Sequence, residues 1–422
     1  MPSTERTEVA VPPTKRVLLV GAALVTAAGA VAPAAAVDDA GPRPRAPMHL
    51  TGDGACQIPA EQIKGRPWPL QRVLLDELWQ DGKKGKGIRV AVIDTGVDDK
   101  NPQLTDAVDA RAGRDYLTKG KGADPTKDEV GHGTKVAGII AARPHKGTGF
   151  VGIAPASTII PIRQNDADNS GDSDTMAQAI DHAVAKGADV INISQDTTKP
   201  LSRTSVLAKA VRDALAADVV VVASAGNDGL DGKVKNTYPA AFDGVLAVAS
   251  SDRNNERASF SQPGDFVDVA APGVDIVSTV PGGGQCTDNG TSFSSPFVAG
   301  VAALLKSRHP DWSPAQIATR IEQTAERSIN GHDNYVGWGV IDPVRALTTS
   351  DTTSPATSPT PDPGVSKAPP PDTAAFSLAE TSQERSERYA TYTVGITVVV
   401  VAVIAGAAAA LREARRRRNL RA

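Results

Sequence analysis

The sequence contains little cysteine and few aromatic residues, and neither sign of charge dominates. Two cysteines among 422 residues exclude a disulfide-dense scaffold and a four-cysteine zinc site. Aromatic residues make up 4% of the chain, so a core must be filled mainly by Ala, Val, Ile and Leu. The net charge of −3 argues against a protein that binds nucleic acid through counterion release. We therefore expect no nucleic-acid partner.

Both ends of the chain carry apolar segments. Lys15 and Arg16 precede an apolar run and small residues up to Ala36, which indicates an export signal over 1–36; a membrane anchor is the alternative. Residues 389–411 contain no charge and are long enough to cross a bilayer as a helix, with a buried core helix as the alternative. The arginine-rich tail 412–422 should then be cytoplasmic, and everything before the helix extracytoplasmic, at the cell membrane.

The segments between these ends differ in composition. Residues 348–388 include a run of Pro, Ser and Thr that cannot bury a core, so we expect an extended linker there. Residues 37–87 form an N-terminal extension, in which Val73–Trp79 has the pattern of an amphipathic helix. Residues 88–347 form the folded domain.

Within the folded domain, short apolar runs alternate with helical stretches. Continuous apolar runs are typical of strands buried on both faces of a parallel sheet. The sequence predicts strands at 88–93, 158–162, 189–193 and 219–223, and helices at 175–185 and 203–217. The fold class is therefore α/β, with a mainly parallel sheet flanked by helices and a C-terminal transmembrane helix.

Three motifs supply the residues of an activated serine nucleophile. Asp94 follows the first strand in VIDTGVD, His132 lies in GHGTKVAG, and Ser292 lies in GTSFSSPFVAG at a turn into a helix. A serine hydroxyl needs a base to remove its proton, and a carboxylate must hold that imidazole in the right tautomer. A fourth motif, ASAGN, ends in Asn227 after another buried strand.

The four motifs resemble those of the subtilisin-like serine proteases, in which Asp, His and Ser occur in this chain order. The resemblance covers about residues 88–347 and implies a three-layer domain with serine endopeptidase activity. It implies that Ser292 is the nucleophile, His132 the base and Asp94 the residue that orients His132. It also assigns Asn227 to the oxyanion hole with the Ser292 N–H, unless Asn227 only holds its loop.

The signal, linker, single span and basic tail together resemble the mycosins, membrane-anchored subtilases associated with type VII secretion; a generic anchored subtilase is the alternative. The resemblance implies that the extension, which is short for a folded inhibitory propeptide, wraps on the catalytic domain. It implies extracytoplasmic protein or peptide substrates, and type VII membrane components as partners. A different hypothesis is a mainly structural component of a secretion complex, in which proteolysis is secondary.

Beside the subtilase pattern, the chain has its own features. Ser194, Gln195 and Asp196 stand where many subtilases have Ser, a hydrophobic residue and Gly, so we expect a more polar substrate-binding pocket. Asp196 should favour a basic residue before the scissile bond, unless it is a solvated turn residue. Cys56 and Cys286 are the candidates for a disulfide that would hold the extension near the active site, although their spacing in the fold is open.

An acidic segment at 165–174 offers oxygen atoms to a calcium ion but lacks the ordered spacing of a calcium-binding loop. A solvated loop is the simpler interpretation. We therefore predict no metal and no cofactor.

Overall fold

The computed structural model describes Ala46, Met48 and residues 56–350, 356–361 and 382–419. These residues belong to one of two compact units, Ala46–Ala422. The predicted signal peptide at 1–36 lies outside the described residues, as do most of the linker and the start of the extension.

A seven-stranded parallel sheet forms the centre of the domain. Its strands are β1 Arg89–Asp94, β2 Arg114–Asp115, β3 Thr158–Arg163, β4 Val190–Ile193, β5 Val220–Ser224, β6 Leu246–Ser251 and β7 Val269–Pro272. They lie in the order β2-β3-β1-β4-β5-β6-β7, and every neighbouring pair is parallel. The four strands predicted from apolar runs are all present.

Helices cover both faces of this sheet. They are α1 Trp68–Arg72, α2 Leu75–Leu78, α3 His132–Ala141, α4 Ser173–Ala185, α5 Val206–Ala216, α6 Thr291–Arg308, α7 Pro314–Thr324 and α8 Pro343–Thr348. Alternate residues of β1 enter different cores: Val90 and Val92 pack with α3 and α6, whereas Ala91 and Ile93 pack with α4 and α5. The predicted α/β class with three layers is confirmed.

The strand order brings three functional segments to one edge of the sheet. Strand β1 lies between β3 and β4, so the chain order reverses beside it, and ligands bind at such switch points. Asp94 ends β1, Ser194 follows β4, and the loop with Asn227 follows β5. An antiparallel hairpin, β8 Ile276–Thr279 and β9 Gln285–Asp288, packs against α3 and leads into α6.

Within the range predicted as one helix, Val73–Trp79, the structure has a shorter helix, α2 Leu75–Leu78, and the additional helix α1 precedes that range. Helices α1 and α2 are separated at Val73, which has extended backbone with ψ 110°, and at Leu74, which is outside the helical region with ψ 83°. This break lets side chains of both helices, Leu70 and Leu75 among them, reach the core. The prediction of a helix here is confirmed for Leu75–Leu78 and was wrong at its two ends, and the extension packs on the domain.

Six linker residues, 356–361, lie beside α7 instead of extending away from the domain. The Thr360 N–H donates to Gln323 Oε1 at 2.8 Å, and Arg327 donates to the Thr360 carbonyl at 3.0 Å. These two contacts hold the short segment against the domain, because Gln323 of α7 and Arg327 supply partners for its backbone. The extended linker over 348–388 stays a prediction.

The C-terminal helix α9 spans Ser382–Asn419 and contains the predicted membrane segment. Among the described residues, its stretch Ser382–Arg418 is the one helix long and apolar enough to cross a membrane.

Candidate active site

Asp94 and His132 meet at the carboxyl edge of the sheet. His132 is the first residue of α3, and its Nδ1 lies 2.7 Å from Asp94 Oδ1, with both side chains buried. The Thr95 N–H donates to the same carboxylate oxygen at 2.8 Å. Burial lowers the pKa of His132, but the Asp94 carboxylate outweighs burial and the net pKa is raised. The pair therefore holds an imidazole whose protonated form is stabilised by a fixed carboxylate.

Two glycines beside His132 allow this close approach. Gly131 has φ 81°, in the left-handed region that favours glycine. A Cβ atom on Gly133 would lie 2.1 Å from the Gly96 carbonyl oxygen. The motif GHGT thus needs both glycines, because one allows the backbone turn before α3 and the other allows α3 to pack closely against the segment that follows β1.

Ser292 is the second residue of α6 and is buried. Its Oγ donates to the Ser194 carbonyl at 3.1 Å, and Ser194 Oγ donates to the Ser292 carbonyl at 3.0 Å. Within the described part of the chain, His132 Nε2 is buried and has no hydrogen-bond partner. The serine–histidine hydrogen bond is thus not formed here, as is common in unliganded active sites.

Asn227 is held against the residue that precedes Ser292. Its Oδ1 accepts from the Thr291 N–H at 2.9 Å and from Thr291 Oγ1 at 3.0 Å. The Gly226 N–H in turn donates to Thr291 Oγ1 at 3.2 Å. These contacts hold the Asn227 amide against the first turn of α6, beside Ser292.

The three predicted pocket residues differ in exposure. Ser194 and Gln195 are buried; Ser194 contacts Ser292 and Ser295, and Gln195 Nε2 donates to the Ile93 carbonyl at 3.4 Å. In this structure their side chains therefore pack against α6 and β1, and their assignment to the substrate-binding pocket stays a prediction. Asp196 is partly exposed.

Asp196 lies beside the loop that carries Asn227. A Cβ atom on Gly226 would lie 2.5 Å from Asp196 Oδ2. Although part of the residue is exposed, its carboxyl group is buried, and this burial, together with the nearby Asp228 carboxylate, raises the pKa of Asp196 to about 7. The side chain thus changes charge near neutral pH.

Asp128 is a further residue of the site that the motif analysis missed. Its carboxylate accepts from Thr95 Oγ1 at 2.7 Å, from the Gly131 N–H at 2.8 Å and from the Thr134 N–H at 2.9 Å. It therefore ties the segment after Asp94 to the first turn of α3. The available signal was an acidic residue four positions before His132.

A disulfide joins the extension to strand β9, which leads into α6. Cys56 and Cys286 are bonded, with a Cα–Cα distance of 6.1 Å. Backbone hydrogen bonds continue the contact: the Ala60 N–H donates to the Gly283 carbonyl, and the Gln285 N–H to the Glu61 carbonyl. The extension thus runs close to the active-site edge.

The acidic segment uses its carboxylates locally. Asp166 accepts from the backbone of Asp168 and Ser170, and Asp172 caps α4. The part of the chain that the structure describes contains no group of three or more His, Cys, Asp or Glu side chains arranged to hold a metal ion.

Comparisons with known proteins agree with the motifs. The family model described as "Subtilase family" matches residues 85–339. Subtilisin E of Bacillus subtilis (strain 168) is 37% identical over 285 residues, which are 67% of this chain and 72% of the relative. MycP1 from the ESX-1 type VII secretion system aligns with TM-score 0.63 and 33% identity, covering 74% of this chain and 94% of that one. MycP1 from Mycobacterium smegmatis aligns with TM-score 0.62 and 32% identity, covering 77% and 95%.

Proposed function

Since the chain belongs to the subtilase family of serine proteases, we propose that it is an exported, membrane-anchored endopeptidase with Asp94, His132 and Ser292 as its catalytic residues. The observation that carries this assignment is the buried contact of 2.7 Å between His132 Nδ1 and Asp94 Oδ1. It supports the tautomer in which Nδ1 carries the proton toward Asp94 and Nε2 acts as the base.

The proposed reaction begins when Ser292 Oγ turns from the Ser194 carbonyl to His132 Nε2. His132 takes the hydroxyl proton as Oγ attacks the peptide carbonyl carbon, and Asp94 stabilises the imidazolium that results. The Asn227 amide nitrogen and the Ser292 N–H donate to the oxyanion. His132 then protonates the leaving amine, and water hydrolyses the acyl-enzyme by the same proton transfers.

The proposed location follows from the ends of the chain and from its structural neighbours. Helix α9 is long and apolar enough to span a bilayer, and arginines follow its apolar part. The similarity to MycP1 of a type VII secretion system favours an extracytoplasmic protein substrate and type VII membrane components as partners. The Asp94–His132 pair favours catalysis over the mainly structural role.

Active-site labelling tests the proposal on the full chain in detergent. A fluorophosphonate should form an adduct on Ser292, located by mass spectrometry, and His132→Ala should slow labelling by about 10⁴-fold or more. Ser294→Ala, two residues along α6, is the matched control and should label normally.

An adduct on another serine would contradict the assignment of Ser292. No adduct on a chain with native thermal unfolding would contradict the catalytic proposal and favour the structural role.

A further inference from the structure

A buried ion pair lies directly behind His132. Lys135 Nζ donates to Asp288 Oδ2 at 2.7 Å, and the two side chains are 6% and 3% exposed. Taking two charges out of water is expensive, and removal of one partner leaves an uncompensated buried charge. Stability alone therefore gives little reason for such a pair, since two well-packed apolar side chains often serve as well.

The pair connects the two segments that carry the catalytic side chains. Lys135 lies three residues after His132 on α3, and Asp288 ends β9, four residues before Ser292. The Phe293 ring lies next to both: its centroid is 5.2 Å from that of the His132 ring and 5.8 Å from Lys135 Nζ.

The β8 strand fastens the same turn of α3. Ser278 Oγ donates to the Lys135 carbonyl at 2.6 Å, and Thr279 Oγ1 donates to the Thr134 carbonyl at 2.8 Å. Strand β8 thus bonds the backbone carbonyls of α3 through its hydroxyl groups, and strand β9 contacts α3 through the ion pair of Asp288 with Lys135.

We propose that Lys135 and Asp288 are a positioning pair: they fasten α3, which begins with His132, to the strand that leads into Ser292, and their opposite charges offset each other at His132. This inference rests on the proposed function and adds two residues that neither bind substrate nor transfer a proton.

Three charged groups act on the pKa of His132 from the segments packed around it, namely Asp94, Lys135 and Asp288. Two further carboxylates lie on the neighbouring segments: the Asp98 backbone N–H donates to Thr134 Oγ1, and Asp128 accepts from the Gly131 N–H. Apart from burial and Asp94, Lys135 lowers the pKa of His132 and Asp288 raises it. The two contributions oppose each other, so a variant that neutralises one partner exposes the effect of the other.

The test uses Lys135→Gln and Asp288→Asn in the full chain, because both substitutions keep a hydrogen bond and remove one charge. The readout is the second-order rate of fluorophosphonate labelling against pH. On the acidic side of this rate–pH profile, labelling falls as His132 becomes protonated. Lys135→Gln should raise the pKa of His132 and move this acidic limb to higher pH, and Asp288→Asn should lower the pKa and move the limb to lower pH, each by about half to one pH unit. At a fixed pH on the limb, these shifts correspond to rate changes of about three- to tenfold in opposite directions.

Two further variants separate charge from position. Lys135→Arg keeps the charge and should keep the native limb. Lys135→Met combined with Asp288→Leu gives a neutral apolar pair that should fold, retain the native limb and lower the maximal labelling rate by about tenfold, since the tie between α3 and β9 is lost.

The outcomes are distinct. Shifts in the same direction, no shift in folded single variants, or a native maximal rate in the double variant would each overturn the inference. If a single variant does not fold, the double variant's maximal rate decides. A native chain that does not label at all would refute the proposed function instead.

Discussion

At the scale of single residues, the charge of Asp196 should control which substrates the enzyme prefers. Because its pKa is raised to about 7, the carboxyl is neutral below that pH and charged above it. We predict that peptides with Lys before the scissile bond gain about tenfold in kcat/KM over Leu peptides as the pH rises from about 6 to about 8. A positional peptide library read at both pH values measures this gain.

Two variants control this prediction. Asp196→Asn should abolish the pH-dependent gain, and Asp228→Asn should move it to lower pH, because the Asp228 carboxylate contributes to the raised pKa of Asp196. A library without any preference for Lys or Arg at either pH would refute the role of Asp196, and the solvated-turn interpretation would stand.

The sequence identified the residues that lie inside short motifs and missed those that act through backbone partners. Asp94 and His132 were expected to meet, and they do. Asp128 was missed because its partners are N–H groups and hydroxyls, which are visible only once β1 and α3 are packed. The burial of Gln195 against the Ile93 carbonyl was not predictable either, because that contact exists only once β4 pairs with β1.

At the scale of elements, the site depends on how closely α3 approaches β8. Gly138 of α3 faces this strand, and a Cβ atom there would lie 2.1 Å from Thr279 Oγ1 and 2.6 Å from Ser278 Oγ. In an exposed helix, Gly→Ala stabilises by about 1 kcal/mol. At Gly138 the steric cost should exceed this gain in helix propensity, because forcing extra atoms into a packed contact costs about 1–3 kcal/mol.

Gly138→Ala is therefore predicted to lower the thermal midpoint and the labelling rate of Ser292 together. Gly65→Ala is the matched control, since a Cβ atom on Gly65 meets nothing within 4 Å. A Gly138→Ala chain with a raised midpoint and an unchanged labelling rate would show that α3 and β8 have room to separate.

Buried strands could be predicted from the sequence, whereas element boundaries that depend on tertiary packing could not. Buried parallel strands were predictable because helices cover both faces and leave unbroken apolar runs, as in Val220–Ser224. The break between α1 and α2 was not predictable from the sequence, because it depends on how the Leu70 and Leu75 side chains pack into the core. The 356–361 contact with α7 was hidden by composition, since Pro-rich sequence predicts an extended chain whatever it touches.

At the scale of the whole molecule, the length of α9 and its flanking charges predict a single span. The charge-free residues 389–411 would extend about 34 Å as a helix, compared with a hydrocarbon core of about 30 Å. Glu384, Arg385, Glu387 and Arg388 precede this stretch, and an arginine cluster follows it. From the positive-inside rule we predict that the arginine cluster lies in the cytoplasm and the folded domain outside.

Single reporter cysteines test this topology, because the two native cysteines are joined in a disulfide. In intact cells, a membrane-impermeant maleimide should label Ser382→Cys but not Asn419→Cys, and permeabilisation should expose Asn419→Cys. Labelling of both positions in intact cells would mean that α9 does not span the membrane. The reverse pattern would mean that the arginines do not determine orientation, and the proposed extracytoplasmic substrate would have to be abandoned with it. Replacing Arg415–Arg418 with Gln should increase the externally labelled fraction of Asn419→Cys, because it removes the charges that retain the tail.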